Sequence, residues 1–196
     1  GDDGRHEIAA KHYPMIGMQS NLDPDLIEYQ ILSAKAAGID GFFIEWGCMP
    51  HENDNLLKAM QPIAAKYGFE IGVNWCDGWL YYDWITKIYP DIKTRADKTK
   101  YMEKCFKYLA DNVFTGKTAP VVNGRPVFYH FGGGATPEEF TQVLNANKDF
   151  VEKTNTVMLR RWADWGKLEN DIYKPVTYSQ KMEEWKKLGE VPTAWI

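Results

Sequence analysis

Acidic residues next to tryptophans recur along this chain at Glu45-Trp46, Trp75-Cys76-Asp77 and Trp162-Ala163-Asp164-Trp165. Hydrolysis of a glycosidic bond needs two carboxyl groups flanking it, and the flat faces of aromatic rings stack on the apolar faces of sugar rings. The chain has eight tryptophans, and the run Trp79-Leu80-Tyr81-Tyr82-Asp83-Trp84 concentrates four aromatic rings around another acid. Asn74, His130 and the pair Arg160-Arg161 add polar groups suited to hydroxyls. Candidate catalytic groups are therefore Glu45, Asp77 and His130. Candidate substrate contacts are Trp46, Asn74, Trp75, Trp79, Tyr81, Tyr82, Arg160, Trp162 and Asp164. Each has a plainer reading. Glu45 could pair with a basic side chain, and Asp77-Gly78 is a common turn signal. His130 could be a hydrogen-bonded core histidine, and Asp164 a cap. Trp46, Trp75 and Trp162 could be core packing, as Trp185 is expected to be.

These residues lie at the ends of apolar runs that alternate with amphipathic helices. A first strand is expected within Ile8–Met18. Asp23-Pro24 then caps a helix that Gly38 stops. Gly41–Trp46 reads as a second strand, Asn55–Tyr67 as a helix and Phe69–Trp75 as a third strand. A long aromatic loop runs from Cys76 to about Arg95. The next helix carries Met102, Cys105, Phe106, Leu109 and Val113 on one face. Asn123-Gly124 marks a tight hairpin into a strand at Val127–Phe131. Thr136-Pro137-Glu138-Glu139 caps a further helix, Thr156–Trp162 is a fifth strand, and Tyr178, Met182, Trp185 and Leu188 stripe a last helix. A sixth strand opens at Val191.

Such alternation builds a parallel sheet with right-handed crossovers. An open doubly wound sheet and a (β/α)8 barrel both fit. Gly17-Met18-Gln19-Ser20-Asn21 lacks the dinucleotide fingerprint, and the loops after strands two, three and five are long, which favours the barrel. From residue 8 to residue 191 the repeat averages about 37 residues, so eight units need about 300, within the barrel range. The expectation is one α/β domain over residues 1–196, about five βα units of a TIM-type barrel and the start of a sixth strand.

Several functions are disfavoured. The net charge of −4 gives no cationic footprint for nucleic acid or anionic membranes. No apolar run is long enough for a membrane span. Cys48, Cys76 and Cys105 are too few and too unevenly spaced for a disulfide framework or a zinc site. Gly132-Gly133-Gly134 precedes a helix whose first turn already holds Glu138 and Glu139, which disfavours a bound phosphate. His51 and its neighbours have no recognised metal-ligand spacing. No cofactor and no metal are expected.

The run His12-Tyr13-Pro14-Met15-Ile16-Gly17, with Asp23-Pro24 and Ala36-Ala37-Gly38-Ile39-Asp40-Gly41-Phe42, resembles the opening of glycoside hydrolase families 71 and 99. Lys66–Asp77 is similar to their third strand, and Asn123-Gly124-Arg125-Pro126-Val127-Phe128 to the motif before their fourth. Those families are (β/α)8 barrels: endo-α-1,3-glucanases in the first, endo-α-mannosidases and endo-mannanases in the second. The resemblance implies a cleft for α-linked glycans and an extracytoplasmic protein of polysaccharide degradation, although no signal peptide opens the chain and its leading Gly1 suggests trimming. It places the family 99 catalytic glutamates on a later strand, past residue 196. Their roles therefore pass to no residue here, and this chain alone is expected to be inactive. A non-catalytic glycan-binding barrel is the alternative. A sugar-phosphate enzyme would need a phosphate site after strands seven and eight. An open sheet edge would also favour self-association.

Two geometric expectations follow. Glu45, Asp77 and His130 should converge on one concave site rimmed by Trp46, Trp75, Trp79 and Tyr81. Because the pleat alternates, only one of Glu45 and Trp46 can face that site, and Glu45 is the choice.

Overall fold

A computed structural model describes residues 16–48, 52–163, 167–169, 172–174, 180–188 and 191–194. The strand expected within Ile8–Met18 falls mostly outside the described residues, and residues 16–18 are irregular. Five strands form one parallel sheet: β1 (Gly41–Trp46), β2 (Glu70–Trp75), β4 (Arg125–His130), β5 (Val157–Ala163) and β8 (Val191–Ala194). Their spatial order is their chain order. A doubly wound sheet reverses direction at a switch point. This one does not, as expected of a barrel-type sheet.

Local chemistry explains the elements between the strands. Helix α1 (Pro24–Ala36) starts where the Asp23 carboxylate accepts the N–H groups of Asp25 and Leu26. It stops at Gly38, whose φ of +78° is costly for any side chain. Helix α2 (Glu52–Tyr67) returns to β2, and the short α3 (Ile85–Ile88) lies in the aromatic loop. Capping boxes open α4 (Arg95–Leu109), through Thr94 and Asp97, and α5 (Pro137–Ala146), through Thr136 and Glu139. A π-turn over Ala110–Phe114 extends α4 and seats Val113 and Phe114 in the core. The hairpin from β3 (Val121–Val122) to β4 turns through Asn123 (φ 52°) and Gly124 (φ 75°), the left-handed pair of an Asn-Gly turn. Helix α6 (Lys148–Thr154) and the hairpin of β6 (Lys167–Glu169) with β7 (Ile172–Lys174) were not anticipated from the sequence. Helix α7 (Gln180–Leu188) precedes β8.

Helices pack on one another in chain order, α1 on α2, α4 on α5, and α5 on α7. Beneath them lies one apolar core. Ile44, Trp46, Ile71, Val73, Trp75, Phe128 and Met158 reach it from the strands, while Ile27, Leu57, Phe106, Leu109, Phe140 and Val143 reach it from the helices. The opposite face of β1 carries Phe43, which is 42% exposed, and Glu45.

Strands β2 and β4 pair only at their upper ends, Asn74 beside Tyr129 and Trp75 beside His130. Lower down, Ile71 donates its N–H to the Thr118 carbonyl (2.7 Å) and Val127 to that of Pro120 (2.9 Å). The segment before β3 is thus wedged between the two strands. No helix among the described residues is long and apolar enough to cross a membrane.

Candidate functional site

Strand register decides which side chains share a face. Glu45, Asn74, Tyr129 and Leu159 are mutual lateral neighbours on β1, β2, β4 and β5. Because neighbouring residues in register point the same way, this row lies on the sheet face turned away from the helices, the open face. One residue further along, Trp46, Trp75 and His130 form the next row, on the core side. Glu45 is exposed and Asn74 and Tyr129 are half-buried. The Asn74 Oδ1 atom is buried and has no hydrogen-bond partner among the described residues. Below the row the Phe43 ring lies across Gly72, where a Cβ would approach it to 2.7 Å, and meets Tyr129 edge to face at 6.0 Å.

An aromatic ring packs at the end of β1. A Cβ on Gly47 would fall 2.3–2.9 Å from Cε3, Cδ2 and Cγ of Trp79, so that ring occupies the space a side chain would need. Gly47 directly follows β1, two residues after Glu45. Trp75 holds Gly47 from beneath by donating its Nε1–H to the Gly47 carbonyl (3.0 Å). Trp79 remains half-buried, and Tyr82, three residues on, is 57% exposed.

The expected convergence of Glu45, Asp77 and His130 does not occur. His130 is 1% exposed and lies on the core side, its ring 3.8 Å from that of Phe140 and packed against Trp75, Phe128 and Trp185. Asp77 is fully buried beside it. One carboxylate oxygen lies 3.2 Å from His130 Nε2, and the other accepts the Ala135 N–H at 2.6 Å. The pair pins the end of β2 to the loop between β4 and α5, across the sheet from Glu45.

Trp46 and Trp75 are likewise no rim. Both are fully buried; Trp46 donates its Nε1–H to Asp54 (3.3 Å) and stacks on Tyr108. The Tyr81 ring lies against Gly134, with the cations of Arg95 and Lys98 at 4.8 and 4.5 Å, so it anchors its turn. Arg160 and Trp162 are placed only by their backbone, in β5, with Arg160 in register with His130. Asp164 lies outside the described residues. Tyr129 and Gly47 were missed from the sequence. The alternation Val127, Tyr129 against Phe128, His130 carried a signal for the first; nothing local carried one for the second.

Two further carboxylates do not join Glu45. Glu139 is forked by Arg95 through Nε (2.7 Å) and Nη2 (2.6 Å) and accepts the Thr136 N–H. Burial pushes the Glu139 carboxyl up, but Arg95 and the Thr136 amide outweigh it and hold it below its ordinary range. Glu70 shares the open face but pairs in register with Gly41, at the opposite end of the strands from Glu45.

No protein-family model and no curated protein matches the sequence. Solved structures do match the fold. A GH99 endo-α-mannosidase from Bacteroides thetaiotaomicron, in complex with bis-tris-propane, aligns with a TM-score of 0.57 at 16% identity, over 86% of this chain and 46% of that one. A second structure of a GH99 endo-α-mannosidase from that organism gives 0.56 and 16%, over 83% and 43%.

The fold is GH99-like.

A glycoside hydrolase-like protein aligns at 0.51 and 17%, over 76% of this chain and 46% of the other. The chain thus spans less than half the length of each of these proteins. At such identities the likeness is one of fold. In a GH99-like barrel the open face of the sheet is the face turned to the lumen, and the carboxyl ends of the strands are where chemistry gathers.

Proposed function

We infer that this is a glycoside hydrolase-type barrel protein that takes an α-linked glycan at the upper end of the open face. The observation that carries the reading is the seat of Trp79 on Gly47, two residues along the chain from the exposed Glu45, whose row continues through Asn74 and Tyr129. A ring face next to hydrogen-bonding groups is what a pyranose requires, with one apolar face to stack and hydroxyls to satisfy. Glu45 and the Oδ1 of Asn74 are acceptors for those hydroxyls. The GH99-like fold gives the ring and the row their place at the carboxyl ends of parallel strands, and the endo-α-mannosidases that share the fold suggest the α-linked substrate.

Hydrolysis requires a second carboxyl group about 5–10 Å from the first. Among the described residues no second carboxylate shares Glu45's level on the open face. With Glu45 alone the site binds without cleaving, which is the second reading, a barrel that holds α-linked glycans and does not hydrolyse them. The experiment for both is to titrate the protein with oligosaccharides cut from α-mannan and from α-1,3-glucan, following binding by calorimetry and cleavage by reducing-end assay. Saturable binding that weakens about tenfold or more in Trp79→Ala and in Glu45→Gln supports the site. Cleavage by this chain selects the hydrolase. No binding to either glycan, or binding indifferent to both substitutions, overturns the reading.

A further inference from the structure

We propose that Asp77 is a positioning residue for the glycan site, fixing from the core side the turn that carries Trp79. The proposal rests on the functional reading above. Asp77 is the first residue of a 3-10 turn, Asp77–Tyr81, that follows β2. Its carboxylate is fully buried and joins two partners on the far side of the sheet end, the Ala135 N–H at 2.6 Å and His130 Nε2 at 3.2 Å. The next residue, Gly78, donates its N–H to the Gly132 carbonyl. Its backbone lies so close to Gly133 that a Cβ there would come within 3.1–3.2 Å of Gly133 backbone atoms. At the other end of the turn, Tyr81 is held against Gly134 between the cations of Arg95 and Lys98. Trp79 is the residue between these two anchors, and its ring reaches across to Gly47, just past the end of β1. Together with the Gly78–Gly132 bond, the buried carboxylate ties the turn to the end of β4 past the point where strand pairing stops. A buried carboxylate is costly unless its oxygens are satisfied. Here both oxygens are satisfied by groups of one other loop and strand end, which fixes the turn relative to them. Asp77 and His130 are both buried, His130 in the row of Trp75 on the core side. Their part in glycan binding is exerted through Trp79.

The test is a double-mutant cycle on the intact protein, with an α-mannan oligosaccharide as the probe. Asp77→Ala should weaken binding about fivefold or more in the wild-type background and less than about twofold in Trp79→Ala. Asp77→Asn, which keeps an acceptor for Ala135, should recover part of the loss. It also carries the test if Asp77→Ala does not fold. A purely structural role would lower thermal stability in both backgrounds and reduce affinity by the same factor in each; that result overturns the proposal. A readout independent of glycan is 19F NMR of protein labelled with 5-fluorotryptophan, the Trp79 resonance being assigned by its loss in Trp79→Phe. That resonance should shift or broaden in Asp77→Asn. An unchanged Trp79 resonance overturns the positioning role even where affinity falls. A Trp79→Ala protein that binds as tightly as wild type overturns the glycan reading, and the 19F result then still decides whether Asp77 positions the ring.

Discussion

At Glu139 a partly buried carboxylate is held ionised by the Arg95 fork and by the capping box of α5. A carboxyl depressed on folding stabilises the protein above its unfolded pKa, and that contribution is lost as pH falls through the folded value. The thermal midpoint of the wild type should therefore drop on the acid side of the ordinary carboxylate range, and Glu139→Gln should flatten that limb. Arg95 is 53% exposed, so solvent screens much of the pair. The loss at neutral pH should be small, below about 1 kcal/mol, because the glutamine of Glu139→Gln would still accept the Thr136 N–H and only the screened ion pair is removed. An acid limb identical in the two proteins would assign it to other groups. Cys48 is a second case. Burial pushes its thiol up to about 11, and it is fully enclosed. It should resist iodoacetamide at pH 8 in the folded protein and react after denaturation. Alkylation of native Cys48 would contradict its burial.

Within single elements the sequence was most legible where one residue type forces one backbone state. The Asp23-Pro24 start of α1, its stop at Gly38, the Asn123-Gly124 turn and the Thr136 cap were all readable because each depends on atoms a few residues apart. The strand limits of β1 were readable for the same reason. The faces were harder. A strand shows which residues alternate, yet the choice of face depends on what packs against it. Choosing Glu45 over Trp46 needed only the cost of burying a carboxylate. His130 was expected on the site and lies in the core, because a histidine can be satisfied there by a buried acid, and Asp77 does this from 53 residues away in sequence. The Trp79 seat was illegible because Gly47, just past the end of β1, lies far from Trp79 in the sequence. Its consequence is testable: Gly47→Ala puts a methyl group into the Trp79 ring, and the ring must leave. Glycan affinity should fall as in Trp79→Ala while far-UV circular dichroism stays that of wild type. Wild-type affinity in Gly47→Ala would show that the ring does not need this seat.

The whole molecule is held by one aromatic cluster in which Trp75, Phe106, Phe128, Phe140 and His130 interlock between sheet and helices. Truncating a fully buried phenylalanine at its centre, Phe106→Ala, should cost about 3–5 kcal/mol in denaturant unfolding, against well under 1 kcal/mol for the exposed Phe43→Ala. Equal losses would put the core elsewhere. The contrast separates the two sides of the sheet, a sealed core under the helices and an open face bearing Glu45, Asn74 and Tyr129. The central claim is that glycan binds on the second and not at the buried tryptophans. The most direct measurement is an 15N NMR titration with an α-mannan oligosaccharide, read at the indole and side-chain amide signals. The Trp79 indole and the Asn74 amide should shift with saturation, while the Trp46 and Trp75 indoles, bonded to Asp54 and Gly47, stay in place. Shifts confined to other surfaces, or none at saturating glycan, would contradict the account.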